Sequence, residues 1–276
     1  MVVQHNLRAM NSNRMLGVTS STQSKSTEKL SSGYKINRSA DDAAGLAISE
    51  KMRRQIRGLT QASANAQDGI SCVQTAEGAL NEVHDMLQRM NELAVKAANG
   101  TNQEEDRTYI QSEVDALVDE IDRVSTTTTF NEKMLLDGHF DEKLQVGAEG
   151  TTDNQIAIKI SAISSAGLKI TALKGTGVSG ADGTAARGSI ATIKNAIKTL
   201  NKQRSDLGAI QNRLEHTIKN LDNVVENTTA AESQIRDTDM ATEMVKYSNN
   251  QILTQAGQAM LAQSNTANQG VLSLLQ

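Results

Sequence analysis

From Ile48 onward, apolar side chains recur at Met52, Ile56, Leu59, Ala62, Ala66, Ile70, Val73, Ala76, Leu80, Val83, Leu87, Met90, Ala94 and Ala97. Steps of three and four, sustained over about seven heptads, form the stripe of a helix that packs on another helix, a pattern no strand can use. The helix is expected over Ala44–Ala98, about 80 Å at 1.5 Å per residue. It should open at the capping sequence Ser39-Ala-Asp-Asp42 and close near Asn99-Gly100. A second stripe, Ile110, Val114, Leu117, Ile121 and Val124, predicts a shorter helix stopped by the β-branched run Thr126–Thr129. A third runs from Ile190 through Ile193, Ile197, Leu200, Leu207, Ile210, Leu214, Leu221 and Val224 to Ile235, about 70 Å. Two rods of similar length with matching seams pack side by side.

Residues 130–189 lose the helical period. Lys143–Gly147 and Gln155–Ser161, where Ile156, Ile158 and Ile160 alternate with polar or small residues, predict a β-hairpin. Gly175, Gly177, Gly180, Gly183 and Gly188 predict a mobile loop. The expected fold class is mainly α: a long antiparallel helical bundle or coiled coil, with a small β-hairpin region in the middle of the chain that caps one end of the rod.

The two ends break the pattern differently. Residues 1–60 carry ten basic and four acidic side chains, whereas Asp222, Glu226, Glu232, Asp237, Asp239 and Glu243 make the opposite end acidic, so complementary charge is available. Tyr247–Gln276 is a run of 30 residues without a charge, in a chain that is 22% charged. Its Asn, Gln, Ser and Thr are too frequent for lipid, yet Ile252, Ala256, Ala259, Met260, Val271, Leu272, Leu274 and Leu275 leave it poorly solvated alone. Val2, Val3, Leu7, Met10 and Leu16 give the N-terminus the same incomplete amphipathicity. Neither end can bury its apolar residues within one chain, so assembly with other copies is the physical expectation.

Composition narrows the alternatives. The 276 residues contain no proline, where average usage of about 5% would supply roughly a dozen, and this suits long unbroken helices. No segment approaches the 18 apolar residues of a membrane span. A net charge of -4 with two Phe, three Tyr and no Trp argues against nucleic-acid binding. The first ten residues lack an apolar signal core, so no cleaved secretory signal is expected. Cys72 alone allows no internal disulfide and falls on the apolar side of the first long helix, as a small core residue.

Candidate chemistry fails on context. Gly175-Thr-Gly177-Val-Ser-Gly180 has the letters of a dinucleotide loop, but nothing after it supplies a second parallel strand. Histidines 5, 84, 139 and 216 are scattered, leaving no metal-ligand set. Asp237 and Asp239 read as a break and cap between two helices. No catalytic residue, metal site or cofactor is expected, and an enzyme would need a pocket with convergent polar groups that rods and a hairpin do not offer.

Leu30-Ser-Ser-Gly-Tyr-Lys-Ile-Asn37, Ala40-Asp-Asp-Ala-Ala-Gly-Leu-Ala-Ile48, Gln88-Arg-Met-Asn-Glu-Leu-Ala-Val95, Glu120-Ile-Asp-Arg-Val124 and Leu207-Gly-Ala-Ile-Gln-Asn-Arg213 resemble bacterial flagellin. So do Ile235-Arg-Asp-Thr-Asp239, Thr242-Glu-Met244, Ile252-Leu253 and Val271-Leu-Ser-Leu-Leu275. The resemblance covers roughly 1–135 and 190–276. The match at both termini sets the chain apart from the related hook-filament junction proteins.

The resemblance implies a short flagellin: a filament subunit exported unfolded by the flagellar type III apparatus, extracellular without a cleaved signal, and not an enzyme. It implies an inner coiled-coil domain from 1–42 and 236–276. A bundle domain is then formed by 43–189, with its hairpin, and by 190–235. Room for a large variable outer domain is lacking. Implied partners are further copies of the chain, an export chaperone, the cap, the hook-filament junction proteins and the host Toll-like receptor 5, with no nucleic acid and no membrane. By motif, Arg89, Leu93 and Glu113 would form the receptor patch, with Asn91 standing where many relatives carry a basic residue. Val3, Leu7, Ile252, Met260, Val271, Leu272, Leu274 and Leu275 would drive polymerisation.

Overall fold

The computed structural model describes residues 6–180 and 182–273, with side chains described only as far as residue 267. The element order is α1 (Leu7–Ser32), α2 (Ala43–Ala97), α3 (Glu104–Thr127), β1 (Thr129–Phe130), β2 (Lys133–Met134), β3 (Asp141–Gln145), β4 (Gln155–Lys159), α4 (Thr184–Arg236) and α5 (Met240–Ser273). The mainly helical class expected from the stripes is what the chain adopts. Contacts divide it into two compact units, 57–225 and the pair of terminal segments 1–56 and 226–276. These divisions fall inside α2 and α4, at places other than the expected boundaries at 42/43 and 235/236.

In unit 57–225 the three stripes meet in one apolar cluster. Val73, Ala76, Leu80, Val83, Leu87, Met90 and Ala94 of α2 lie against Val114, Val118 and Ile121 of α3 and Ile193, Leu200 and Leu207 of α4. Cys72 is buried among them, and burial pushes its thiol pKa up. The helix ends differ from expectation by a few residues. Asp42, not Ser39, caps α2, its Oδ1 accepting the Gly45 N–H at 2.9 Å. Helix α4 begins six residues before Ile190.

Two small antiparallel sheets fill the middle. The predicted hairpin is β3–β4, paired from Asp141 with Lys159 to Gln145 with Gln155. A second, β1–β2, was hidden behind the threonine run. Its two-residue turn puts Asn131 and Glu132 at φ 48° and 64°, the left-handed geometry that fits the twist of paired strands.

The expected cap at one end is corrected: the middle segment lies along the side of this unit. A Cβ on Gly58 would meet Ala148, one on Gly69 would meet Leu144, and Gly183 sits beside Ala97 and Ala98 at the far end of α2. The expected mobile glycine loop is corrected too. Helix α3 holds this segment with polar side chains spaced almost every four residues. Arg107 donates to the Gly180 carbonyl at 3.0 Å, and Gln111 accepts the N–H groups of Val178 and Ser179 at 2.7 and 3.2 Å. Asp115 accepts the Gly175 N–H at 2.9 Å, Asp119 pairs with Lys174, and Asp122 accepts from Ser165 N–H and Oγ. Val178 is fully buried as a result. Arg107 is itself only 2% exposed and also donates to the carbonyls of Ala97 and Asn99. Its charge thus sits at the negative end of α2.

Candidate assembly and receptor surfaces

The terminal unit has a different construction. Among its described residues, Ile36 is the one buried apolar side chain. Helix α1 opens with Asn6, whose side chain accepts the Ala9 N–H, and ends at Gly33, whose φ of 76° only glycine adopts freely. Helices α1 and α5 pack against each other. Each turns a strip to its neighbour at steps of three and four: Ala9, Ser12, Leu16, Thr19, Gln23, Ser26 and Leu30 on α1, and Glu243, Tyr247, Asn250, Thr254, Gly257, Leu261 and Ser264 on α5 are among the covered positions. Most of these are small or polar.

Apart from Leu16, Leu30, Tyr247 and Leu261, most of the large apolar residues of the pair are exposed instead. Leu7, Met10 and Val18 are 69%, 64% and 59% exposed, and Val245, Ile252 and Met260 are 60%, 63% and 63% exposed. A two-helix pair with its polar strip inside and its apolar residues outside leaves that apolar area in water. Of the expected polymerisation residues, Leu7, Ile252 and Met260 are thus placed on this outer surface. Val3, Leu274 and Leu275 lie outside the described residues, as do the side chains of Val271 and Leu272.

Hydrogen bonds knit the inner strip. Ser26 Oγ donates to Glu243 Oε1 at 2.7 Å, Thr254 Oγ1 to Gln23 Oε1 at 3.2 Å, and Asn6 Nδ2 to the Ser264 carbonyl at 3.2 Å. Glu243 is 7% exposed. Burial alone would raise its pKa, but the Ser26 hydroxyl and the ammonium groups of Lys246 and Lys29 outweigh that and hold it below the usual glutamate range.

The break between α4 and α5 is built as a cap, as its aspartates suggested. Asp239 accepts the N–H groups of Ala241 and Thr242 and the Thr242 hydroxyl, and these bonds, the hydroxyl's first, lower its pKa. The preceding residue pairs are crossed by backbone bonds: Lys35 N–H to the Arg236 carbonyl and Thr238 N–H to the Gly33 carbonyl. Arg236 lies over the Tyr34 ring, 4.6 Å from its centroid, and donates to Glu50 at 2.7 Å.

In unit 57–225, Arg89 and Glu113 come together on adjoining helices. Arg89 Nε donates to Glu113 Oε1 at 2.9 Å and Nη1 to Glu92 at 3.3 Å, and these carboxylates, Glu113 first, raise its pKa further. Leu93 is not beside them on the surface. It is 3% exposed and belongs to the apolar cluster, because α2 is flanked there by both α3 and α4 and its covered arc is wider than one seam. The exposed apolar residues among the neighbouring positions are Val95 and Tyr109, 54% and 69% exposed. They carry no charge and fall outside the seam pattern, so periodicity does not reveal them.

Among the described residues, no group of three or more His, Cys, Asp or Glu side chains could hold a metal, and no helix is long and apolar enough to cross a membrane.

The family described as bacterial flagellin N-terminal helical region matches residues 3–141, and the bacterial flagellin C-terminal helical region matches 190–275. A flagellin of Halalkalibacterium halodurans is 53% identical over 276 residues, covering all of both chains. A flagellin of Bacillus subtilis is 48% identical, again over the whole of both. Among solved structures, a putative flagellar hook-associated protein from Vibrio parahaemolyticus has a TM-score of 0.60 at 13% identity, over 71% of this chain and 100% of that one, a likeness of fold.

Proposed function

The chain belongs to the bacterial flagellin family and is a core subunit of the flagellar filament, and from that membership we propose how its parts divide the work. The inner tube of the filament is assigned to residues 1–42 and 236–276, and the surrounding bundle to 43–189 and 190–235. Assembly is driven by the apolar residues that α1 and α5 turn outward, Leu7, Ile252 and Met260 among them, continued by Val3, Val271, Leu272, Leu274 and Leu275. The single observation that carries this reading is the inverted helix pair: its large apolar side chains are exposed in one chain and are stabilised only when other copies cover them, at about 25 cal/mol per Å² of area removed from water.

The subunit reaches the filament by unfolded export through the flagellar type III apparatus, with an export chaperone, the cap and the hook-filament junction proteins as partners along the way. It acts by structure and carries out no reaction. A receptor role rests on a separate observation, the joining of Arg89 and Glu113 into one exposed ion pair with side chains 51% and 45% accessible. We assign these two, supported from beneath by Leu93, as the patch presented to Toll-like receptor 5. Seeded polymerisation tests the assembly reading: heat-dissociated full-length chain should extend short filament seeds, whereas a version ending at Met244 should stay monomeric. Extension by both would remove the terminal helix from the mechanism.

A further inference from the structure

The inverted pair raises a question of register. Two helices held by a uniform apolar seam have alternative registers, which a polar residue at a single seam position can distinguish. Here the seam is mostly polar, and a carboxylate lies within it. We propose that the Ser26–Glu243 hydrogen bond is the register key of the α1–α5 pair. It selects one alignment of the two helices and so fixes which apolar residues stand side by side on the outer surface. That last consequence rests on the assembly reading; the register itself does not.

Hydrogen-bond supply separates the possible registers. Glu243 is 7% exposed and Ser26 3%; Lys246, three residues on along α5, stays with Oε2 at 3.3 Å in any register, so it is Oε1 that depends on the donor that α1 brings to it. A buried charge that loses its partner is strongly destabilising. A slide of one turn that brings Leu261 opposite Leu16 carries Glu243 from Ser26 towards Leu30, which has no donor on its side chain. The opposite slide, bringing Thr254 to Leu16, carries Glu243 to Gln23 and takes Gln23 from Thr254, with which it is bonded at 3.2 Å. Either slide also separates Asn6 from Ser264, bonded at 3.2 Å. Leu16, Leu30 and Leu261 apart, the large aliphatic side chains of the pair, which would tolerate both slides, are exposed. Polar residues buried at a few positions of a coiled coil specify alignment in the same way, at some cost in stability.

Disulfide trapping in the full-length chain reads the register directly. A Cβ on Gly257 would stand 3.9 Å from the Leu16 Cβ, within the ~3.5–4.5 Å range of a disulfide. With Cys72→Ala as background, Leu16→Cys is combined with Gly257→Cys for the observed register, or with Thr254→Cys or Leu261→Cys for the two slides. The fraction of intramolecular disulfide is followed in redox buffer. The observed-register pair should form roughly tenfold faster than either slid pair, the Leu261 pair being slowest. Adding Glu243→Leu should bring the three rates together, while Glu243→Gln, which keeps an acceptor for Ser26, should preserve their order. A parent chain without preference, or a Glu243→Leu chain that keeps the full preference, overturns the proposal. Because the trapping is done on free chains, it stands or falls separately from filament growth.

Discussion

Gly69 and Leu144 occupy one space: a methyl group on the α2 glycine would overlap the δ-methyl of the β3 leucine. The hairpin is therefore seated on α2 by the absence of a side chain, and Leu144 joins Ala66, Val146, Ile156 and Leu214 in a small apolar cluster. Gly69→Ala, normally favourable by about 1 kcal/mol in a helix interior, should here lose that gain, because the half-buried Leu144 must swing its δ-methyl aside to admit the new methyl. The midpoint of thermal unfolding of the full chain checks this. Gly78→Ala, where a Cβ meets nothing within 4 Å, is the control and should raise it.

Gln111 is the centre of the polar row on α3. It accepts from Val178 and Ser179 and donates to the Leu173 carbonyl at 2.7 Å, while 4% exposed. Gln111→Ala should cost about 2–3 kcal/mol by stranding those backbone groups. Hydrogen exchange should quicken across 173–180 while the amides of β3 and β4 keep their protection.

Arg89→Ala and Glu113→Ala should weaken binding of the Toll-like receptor 5 ectodomain by about thirtyfold or more and leave the unfolding midpoint unchanged, because exposed ion pairs add little stability. Leu93→Ala should behave otherwise. As a core truncation it should cost about 2–5 kcal/mol, so its binding must be measured well below its own unfolding temperature. Equal binding by the Arg89→Ala chain would take that residue out of the patch.

Asp239 sets a pH dependence. Its bonds to Thr242 and Ala241 lower its pKa in the folded chain, so its contribution is fully present above the ordinary aspartate pKa. It is lost as pH falls through the depressed folded value. Helix content followed by circular dichroism should fall less between pH 5 and pH 2 in Asp239→Asn than in the parent, since the variant has no such proton to take up.

What the sequence disclosed follows from what sequence periodicity records. The α2, α3 and α4 seams were legible because Val83, Leu87, Val114 and Leu200 repeat at helical steps and each faces a like seam. The lateral course of 160–180 was not: Gln111 meets Val178 67 residues away, through backbone groups that every residue possesses. The burial of Leu93 is not legible from the stripe, which passes through Met90 and Ala94, because two neighbours cover α2 there and widen its covered arc. The exposed apolar residues of the termini could be anticipated from their composition. The polar strip between α1 and α5 could not, since Ser, Thr and Asn are common on every face of both helices.

If the outward apolar residues of α1 and α5 are there to be covered by other copies, making them polar should block assembly and spare the fold. The most direct measurement is the critical concentration for seeded filament growth by a Leu7→Ser, Ile252→Ser, Met260→Ser chain against the parent. All three side chains are more than 60% exposed, so the free chain should unfold at an unchanged temperature. The critical concentration should rise at least about a hundredfold. An unchanged critical concentration in a normally folded chain would contradict the account.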